Sequence, residues 1–302
     1  MDRAVSIGSV TLANPVMTAS GTAGYGTELA ASLNLAALGA VVVKSLAAFE
    51  WAGNPAPRLH PTAAGMLNAV GLQGPGLRYW LDHVLPGLLD TGATVVASIW
   101  GRSAAEYADA ARLLHDAPAG VVAVEINLSC PNLDHDRGTG GARASIFAHD
   151  PDRSAEVVAA VAAAAGRPCW AKLSPNTDRI VEVAGAVQAA GAEAVTCVNT
   201  LLGLAFDPAT NEPALAVGGG GYSGPALHPV AVRAVHDVAT AHPALPVIGV
   251  GGISTPWDAT EMFLAGAVAV QIGTASFRDP RAALRVLEGL PTPVAAATNR
   301  YR

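Results

Sequence analysis

Two lysines, a set of asparagines and one cysteine carry the chemistry open to this chain. Cys130 lies in the segment EINLSCPN, next to Asn127, Ser129 and Asn132, with Pro131 stiffening the turn. A thiol there could be a nucleophile, a base or a metal ligand. No His or Asp at a recognisable spacing accompanies it, which disfavours a Cys–His hydrolase and a zinc site, so no metal is expected. Cys169 and Cys197 sit inside apolar runs and read as small buried hydrophobes. No CxxC pair is present, so the chain alone cannot hold an iron–sulfur cluster or a Cys-rich zinc site.

The other candidates share a position: each follows a short apolar run. They are Ser20-Gly21, Lys44-Ser45, Ser98, Asn127, Lys172, Asn199-Thr200, Gly251-Gly252 and Gly273-Thr274. Lysines and asparagines at the end of a buried strand are costly unless something pairs with them, so the set asks for a ligand. The plainer alternative is that each is solvated. VIGVGGIS and VQIGTASF place bare backbone where a phosphate could approach closely, and GGGGYSGPAL adds a third Gly-rich segment. Tight-turn glycines are the alternative there. In NAVGLQGPG, Asn68 offers an amide that both donates and accepts, as a lactam or pyrimidine edge requires. Gly71, Gly74 and Gly76 would keep that loop close to its ligand; a structured polar turn is the alternative.

These residues need elements to position them. Eight apolar runs alternate with Ala/Leu-rich helical stretches: 16–20, 41–45, 94–98, 122–127, 169–173, 195–199, 246–250 and 268–272. LGAVVVKS, TGATVVAS, AGAEAVTCVNT and AGAVAVQIGT each begin with a Gly-Ala step, read as a left-handed helix cap before a strand buried on both faces. Eight strand–helix units predict an α/β fold, a (β/α)8 barrel spanning 1–302 as a single domain, with an open doubly wound sheet as the alternative. Val5, Ile7, Val10 and Leu12 predict a hairpin turning at Gly8-Ser9 and capping the barrel bottom. The connections 46–79, 128–150 and 201–225 are too long for a helix alone. All three leave strand C-termini, the face on which barrels build active sites, and long loops in compact domains are usually functional.

Composition narrows the class. Hydrophobic residues make up 51% and charged residues 14%, enough for a large core. The net charge is −6 with no Lys/Arg cluster, which argues against nucleic acid as a partner. No segment reads as a signal peptide or membrane span, and an odd cysteine count argues against a disulfide scaffold. A cytoplasmic protein is expected.

In order along the chain, NPVMTASGTAGYG, VKS, GNPAPR, NAVGLQGPG, EINLSCPN, AKLSPN, VNTLLG, GGYSGPA, VIGVGGIS and QIGTASFRDP resemble successive motifs of the class 1 dihydroorotate dehydrogenases. The resemblance runs from about Asn14 to Pro280. It implies FMN as cofactor and the oxidation of dihydroorotate to orotate in pyrimidine synthesis. By the same resemblance Lys44, Ser45, Asn127, Lys172, Val198, Gly224, Gly251, Gly252, Gly273 and Thr274 would hold the flavin, with Ser20 and Gly21 against it. Lys44, Asn68, Ala69, Val70, Gly71, Leu72, Asn127, Asn199 and Thr200 would bind the substrate, joined by Asn132. Cys130 aligns with the catalytic base, and Lys172 would stabilise charge on the reduced flavin. Ser98 stands where the family often has Asn, a shorter reach toward the flavin.

The patterns GLQ-x-PG and GGYSGPA resemble the NAD-linked type, which implies a partner subunit with FAD and a [2Fe–2S] cluster. The assembly would be a homodimer or, with that partner, a heterotetramer. The stretch NLDHDRGTGGARASIFAHDP after Cys130 departs from the family pattern in length and polarity. That departure motivates a second expectation, an FMN enzyme acting on another dihydropyrimidine or lactam. A third is a barrel that binds phosphate or nucleotide without catalysis, which the glycines permit and the Lys44, Lys172 and Cys130 set opposes.

Overall fold

The computed structural model describes residues 3–128 and 146–291. Its strands are β1 (Val5–Ile7), β2 (Val10–Leu12), β3 (Val16–Thr18), β4 (Val41–Val42), β5 (Leu59–Thr62), β6 (Gly65–Asn68), β7 (Val95–Ile99), β8 (Val121–Asn127), β9 (Cys169–Lys172), β10 (Ala194–Cys197), β11 (Leu201–Gly203), β12 (Gly220–Ser223), β13 (Val247–Val250) and β14 (Ala269–Ile272).

The eight runs singled out in the sequence become eight parallel strands, ordered β3-β14-β13-β10-β9-β8-β7-β4. The ring is closed by a parallel bridge between Met17 and Ala40. Thr18 reinforces the seam: its Oγ1 accepts from the Val42 N–H at 2.9 Å. Helices such as Ala104–Leu114, Pro151–Ala165 and His228–Ala241 cover the outside. The structure is therefore the (β/α)8 barrel that the alternation implies. β4 is shorter than its run because Lys44 turns away and gives its N–H to Gly24 O at 2.9 Å. Gly92, Gly191 and Gly266 have φ of 78°, 107° and 112°, as the left-handed cap reading requires. Gly39 differs: a Cβ there would lie 2.1 Å from Asn14 O, so close approach demands that glycine.

Alternation along strands sorts side chains into layers, each drawn from every second strand. At the bottom lie Ala40, Ala123, Ala194 and Ala269, then Met17, Val96, Trp170 and Ile248. The β1–β2 hairpin seals this end, packing Ile7, Val10 and Leu12 on the same cluster. Above it the interior turns polar: Glu125, Thr196 and Gln271 are fully buried, and Ser98 and Lys172 lie a layer higher. Lys44, Asn127, Val198 and Gly273 continue the same inward registers to the mouth.

Two of the long connections are not loops alone but hold strands. β5 and β6 come from the connection after β4, β11 and β12 from that after β10. They pair as an antiparallel sheet, β11-β12-β6-β5, beside the mouth. Each segment is short; β5–β6 and β11–β12 pair locally, and only the pairing of β6 with β12, across about 150 residues of sequence, joins them into one sheet, with Gly221 opposite Asn68. Among the described residues no helix is long and apolar enough to cross a membrane.

Candidate active site

A cavity of about 1040 Å³ opens at the C-terminal ends of the barrel strands. Ser20, Gly21, Lys44, Ser45, Asn127, Lys172, Val198, Asn199, Thr200, Gly224, Gly251, Gly252, Gly273 and Thr274 all line it. So do Asn68, Val70, Gly71 and Leu72, carried over the mouth by β6 and the turn after it. Residues drawn from every part of the sequence thus share one wall because parallel strands end at one level.

The side-chain half of the cavity is wired together. Asn127 Nδ2 donates to Ser45 Oγ at 3.1 Å, and Ser45 Oγ lies 2.8 Å from Ser98 Oγ. Asn199 Nδ2 donates to Asn127 Oδ1 at 3.3 Å. The Tyr107 hydroxyl donates to the backbone carbonyl of Asn127 at 2.7 Å, holding the end of β8 from outside. Ser98 therefore sits behind Ser45, fully buried and off the cavity wall. Ala69 is also off the wall, buried with Leu67 and Leu215.

The loop that carries the substrate-side residues is braced by the neighbouring GNP segment. Asn54 Nδ2 donates to Ala69 O at 3.0 Å, and Trp51 Nε1 donates to Gly71 O at 3.0 Å. Leu72 is held at φ 60°, uncommon for a side-chain-bearing residue. Trp51 in turn packs edge-on against Phe49 and Trp100, with the Arg102 guanidinium over Phe49. Asn68 Nδ2 donates to Gly221 O at 3.1 Å, tying β6 to β12.

The opposite half is main chain. Gly251 and Gly252 have φ of 138° and 67°, and a Cβ on Gly252 would lie 2.7 Å from His228 Cβ and 2.9 Å from Gly224 O. Gly21, at φ 95°, would point a Cβ into open space. His228 backs the turn, its Nδ1 2.9 Å from Gly251 O and its Nε2 3.4 Å from Glu261. Asp258 lies near this pair but is committed to the capping box of helix Pro256–Leu264, so the trio carries no metal reading. At the other wall Thr274 Oγ1 donates to Ser223 Oγ at 2.8 Å.

This donor set fits FMN. Ligand pockets of drug-sized molecules span about 300–1,000 Å³, and this cavity, at about 1040 Å³, lies just above that range, room for a flavin with a small ring beside it. The glycine backbones suit a phosphate, and Lys172 suits an anionic ring edge.

Sequence reading missed what lies under Lys172. Its Nζ is 3.3 Å from Ser20 Oγ, 3.2 Å from Gln271 Oε1 and 3.7 Å from Glu125 Oε1. Glu125 Oε2 accepts from Thr196 Oγ1 at 3.0 Å and Gln271 Nε2 at 2.5 Å. A signal was available: Glu125 precedes Asn127 by two and Gln271 precedes Gly273 by two, so both share those residues' inward face.

Two of the three cysteines lie within the described residues. Cys169 and Cys197 are unpaired and buried, and burial pushes both thiols up to about 12. Cys130 and Asn132, with residues 133–145 of the divergent stretch, lie outside the described residues.

The sequence profile of the dihydroorotate dehydrogenase family matches residues 3–294. Among curated relatives, the chain is 46% identical over 299 residues to dihydroorotate dehydrogenase A (fumarate) of Lactiplantibacillus plantarum, covering 98% of this chain and 94% of that protein. It is 45% identical over 291 residues to the catalytic subunit of dihydroorotate dehydrogenase B (NAD(+)) of Geotalea uraniireducens, covering 96% and 92%. The corresponding Geobacter sulfurreducens subunit is 47% identical over 285 residues, covering 94% and 90%.

Proposed function

The chain belongs to the dihydroorotate dehydrogenase family, and from that premise we propose that it oxidises dihydroorotate to orotate with FMN, a step of pyrimidine synthesis. The observation that carries this reading is the meeting of Lys44, Asn127, Lys172 and Asn199 with a glycine-walled phosphate site in one cavity. FMN, when bound, supplies the acceptor for the hydride leaving C6 of the substrate.

The chain's own residues do the rest. Gly251, Gly252, Gly273, Thr274 and Gly224 would receive the phosphate end, and Ser20, Gly21, Ser45 and Val198 would border the ring. Lys172 would face the ring edge that becomes anionic on reduction, where a preorganised cation is most effective. Lys44 would neutralise the substrate carboxylate. Asn68, Asn127, Asn199 and Thr200 would hold the pyrimidine edge at reacting distance, with the 69–72 turn closing over it. Ser98 acts through Ser45 and Asn127. Cys130 would take the C5 proton as thiolate, with Asn132 beside it. Cys169 and Cys197 cannot substitute for it at neutral pH, because burial keeps them protonated.

We take the whole chain, 1–302, as one FMN-binding domain working in the cytoplasm, where its unpaired thiols stay reduced. The B-type relatives are named as catalytic subunits, and a partner carrying FAD and a [2Fe–2S] cluster would pass electrons to NAD. The A-type relative is named for fumarate, which supports a second route of reoxidation.

The test is anaerobic mixing of the purified, yellow protein with dihydroorotate. Bleaching of the flavin band is expected, and a colourless protein that takes up no FMN would overturn the reading. Reoxidation by fumarate alone would replace the partner subunit. A flavin untouched by dihydroorotate and unperturbed by millimolar orotate would shift the substrate to another dihydropyrimidine or lactam.

A further inference from the structure

An ion pair lies in the barrel interior directly below the cavity floor. Glu125 is fully buried and the Lys172 side chain nearly so, with Nζ 3.7 Å from Glu125 Oε1. Two neutral donors, Thr196 and Gln271, hold the other carboxylate oxygen. Every close polar group on Glu125 is therefore a donor or a cation, which is the environment an ionised carboxylate needs, since it only accepts. Gln271 bridges both charges, its carbonyl oxygen toward Lys172 and its amide toward Glu125. Glu125 Oε1 makes no hydrogen bond in the structure and has the ammonium as its nearest charge.

This arrangement does more than satisfy a lysine. An ammonium in a low-dielectric interior projects its field strongly, and a carboxylate behind it cancels part of that field. Lys172 reaches the cavity wall, whereas Glu125 lies one layer deeper and does not line the cavity.

We infer that Glu125 is a positioning residue that sets the reduction potential of the bound flavin by partly neutralising Lys172 and holding its ammonium beside Ser20. The inference rests on the FMN reading above. The buried carboxylate makes the flavin harder to reduce than Lys172 alone would. That matches a flavin which must accept a hydride from the substrate and still release electrons onward.

The test is an anaerobic redox titration of the FMN-loaded protein and its variants. Glu125→Gln keeps size and hydrogen bonding but removes the charge. The expected result is retained FMN and a potential shifted upward, favouring reduction at least tenfold, about 30 mV for a two-electron couple. Lys172→Met should shift it the opposite way. The dissociation constant for orotate should move by less than about threefold in Glu125→Gln, since no substrate contact is removed. If Glu125→Gln fails to fold, Glu125→Asp retains the charge but retracts it by one methylene, and should shift the potential upward by a smaller amount. A folded, flavin-loaded variant whose potential matches the parent would overturn the inference while leaving the dehydrogenase reading intact. A parent protein without flavin would instead overturn that reading.

Discussion

At one end of the mouth cavity the wall is main chain; at the other it is side chains. Gly251, Gly252 and Gly273, at the ends of β13 and β14, offer bare backbone. Lys44, Asn127, Lys172 and Asn199, from β8, β9 and the segments following β4 and β10, offer charge and amides linked to one another. A phosphate needs close approach to N–H groups, which a side chain would block. A reacting ring needs donors and charges at fixed places, which only side chains can provide. The barrel supplies both because all its strands end on one face, so the division follows chemistry rather than sequence neighbourhood.

The comparison can be broken most forcefully at the chemical step. Cys130→Ala should leave FMN bound and slow flavin reduction by dihydroorotate about 10²–10⁴-fold at neutral pH, measured by stopped-flow absorbance. In the parent, that rate should climb with pH as the thiol ionises; an unperturbed cysteine has a pKa of about 8.5.

Gly252→Val probes the main-chain end. Its Cβ would lie 2.8 Å from His228 N in a backbone held at φ 67°. FMN affinity should fall roughly 100-fold or more by fluorescence titration, whereas an unchanged affinity would erase the distinction between the two ends. Lys44→Ala probes the other end. Loss of a charged hydrogen bond is worth about 1.5–3 kcal/mol, so orotate should bind roughly 10–150-fold more weakly while FMN is retained.

Trp51→Phe sharpens the picture with a smaller effect. It keeps a ring against Phe49 and Trp100 but removes the donation to Gly71 O at 3.0 Å. A neutral hydrogen bond contributes about 1 kcal/mol, so KM for dihydroorotate should rise about fivefold with kcat little changed. A fall in kcat with constant KM would assign the indole a different role. Alkylation of the native protein near pH 8 gives the mildest readout. Cys169 and Cys197, with thiols pushed up to about 12, should stay unlabelled until the protein unfolds.

The barrel was legible because a strand covered on both faces reads as an apolar run, and eight such runs each met their strand. The site was legible where a polar residue closes such a run, as at Lys44, Asn127 and Lys172. Three features escaped for one shared reason. The β6–β12 seam of the small sheet, the place of Ser98 behind Ser45, and the Glu125–Gln271 support of Lys172 all depend on partners distant in sequence.

Residue order by itself determined the alternation of strand and helix, the hairpin plug at Gly8-Ser9 and the level at which each polar group emerges. These depend on periodicity and on glycine or proline geometry within a few residues. Only the closed ring decided which groups touch. Lys172 and Glu125 lie on adjacent strands, β9 and β8, and Gln271 reaches them across the interior from β14. That distance is set by barrel radius and register, quantities that no local stretch of chain contains.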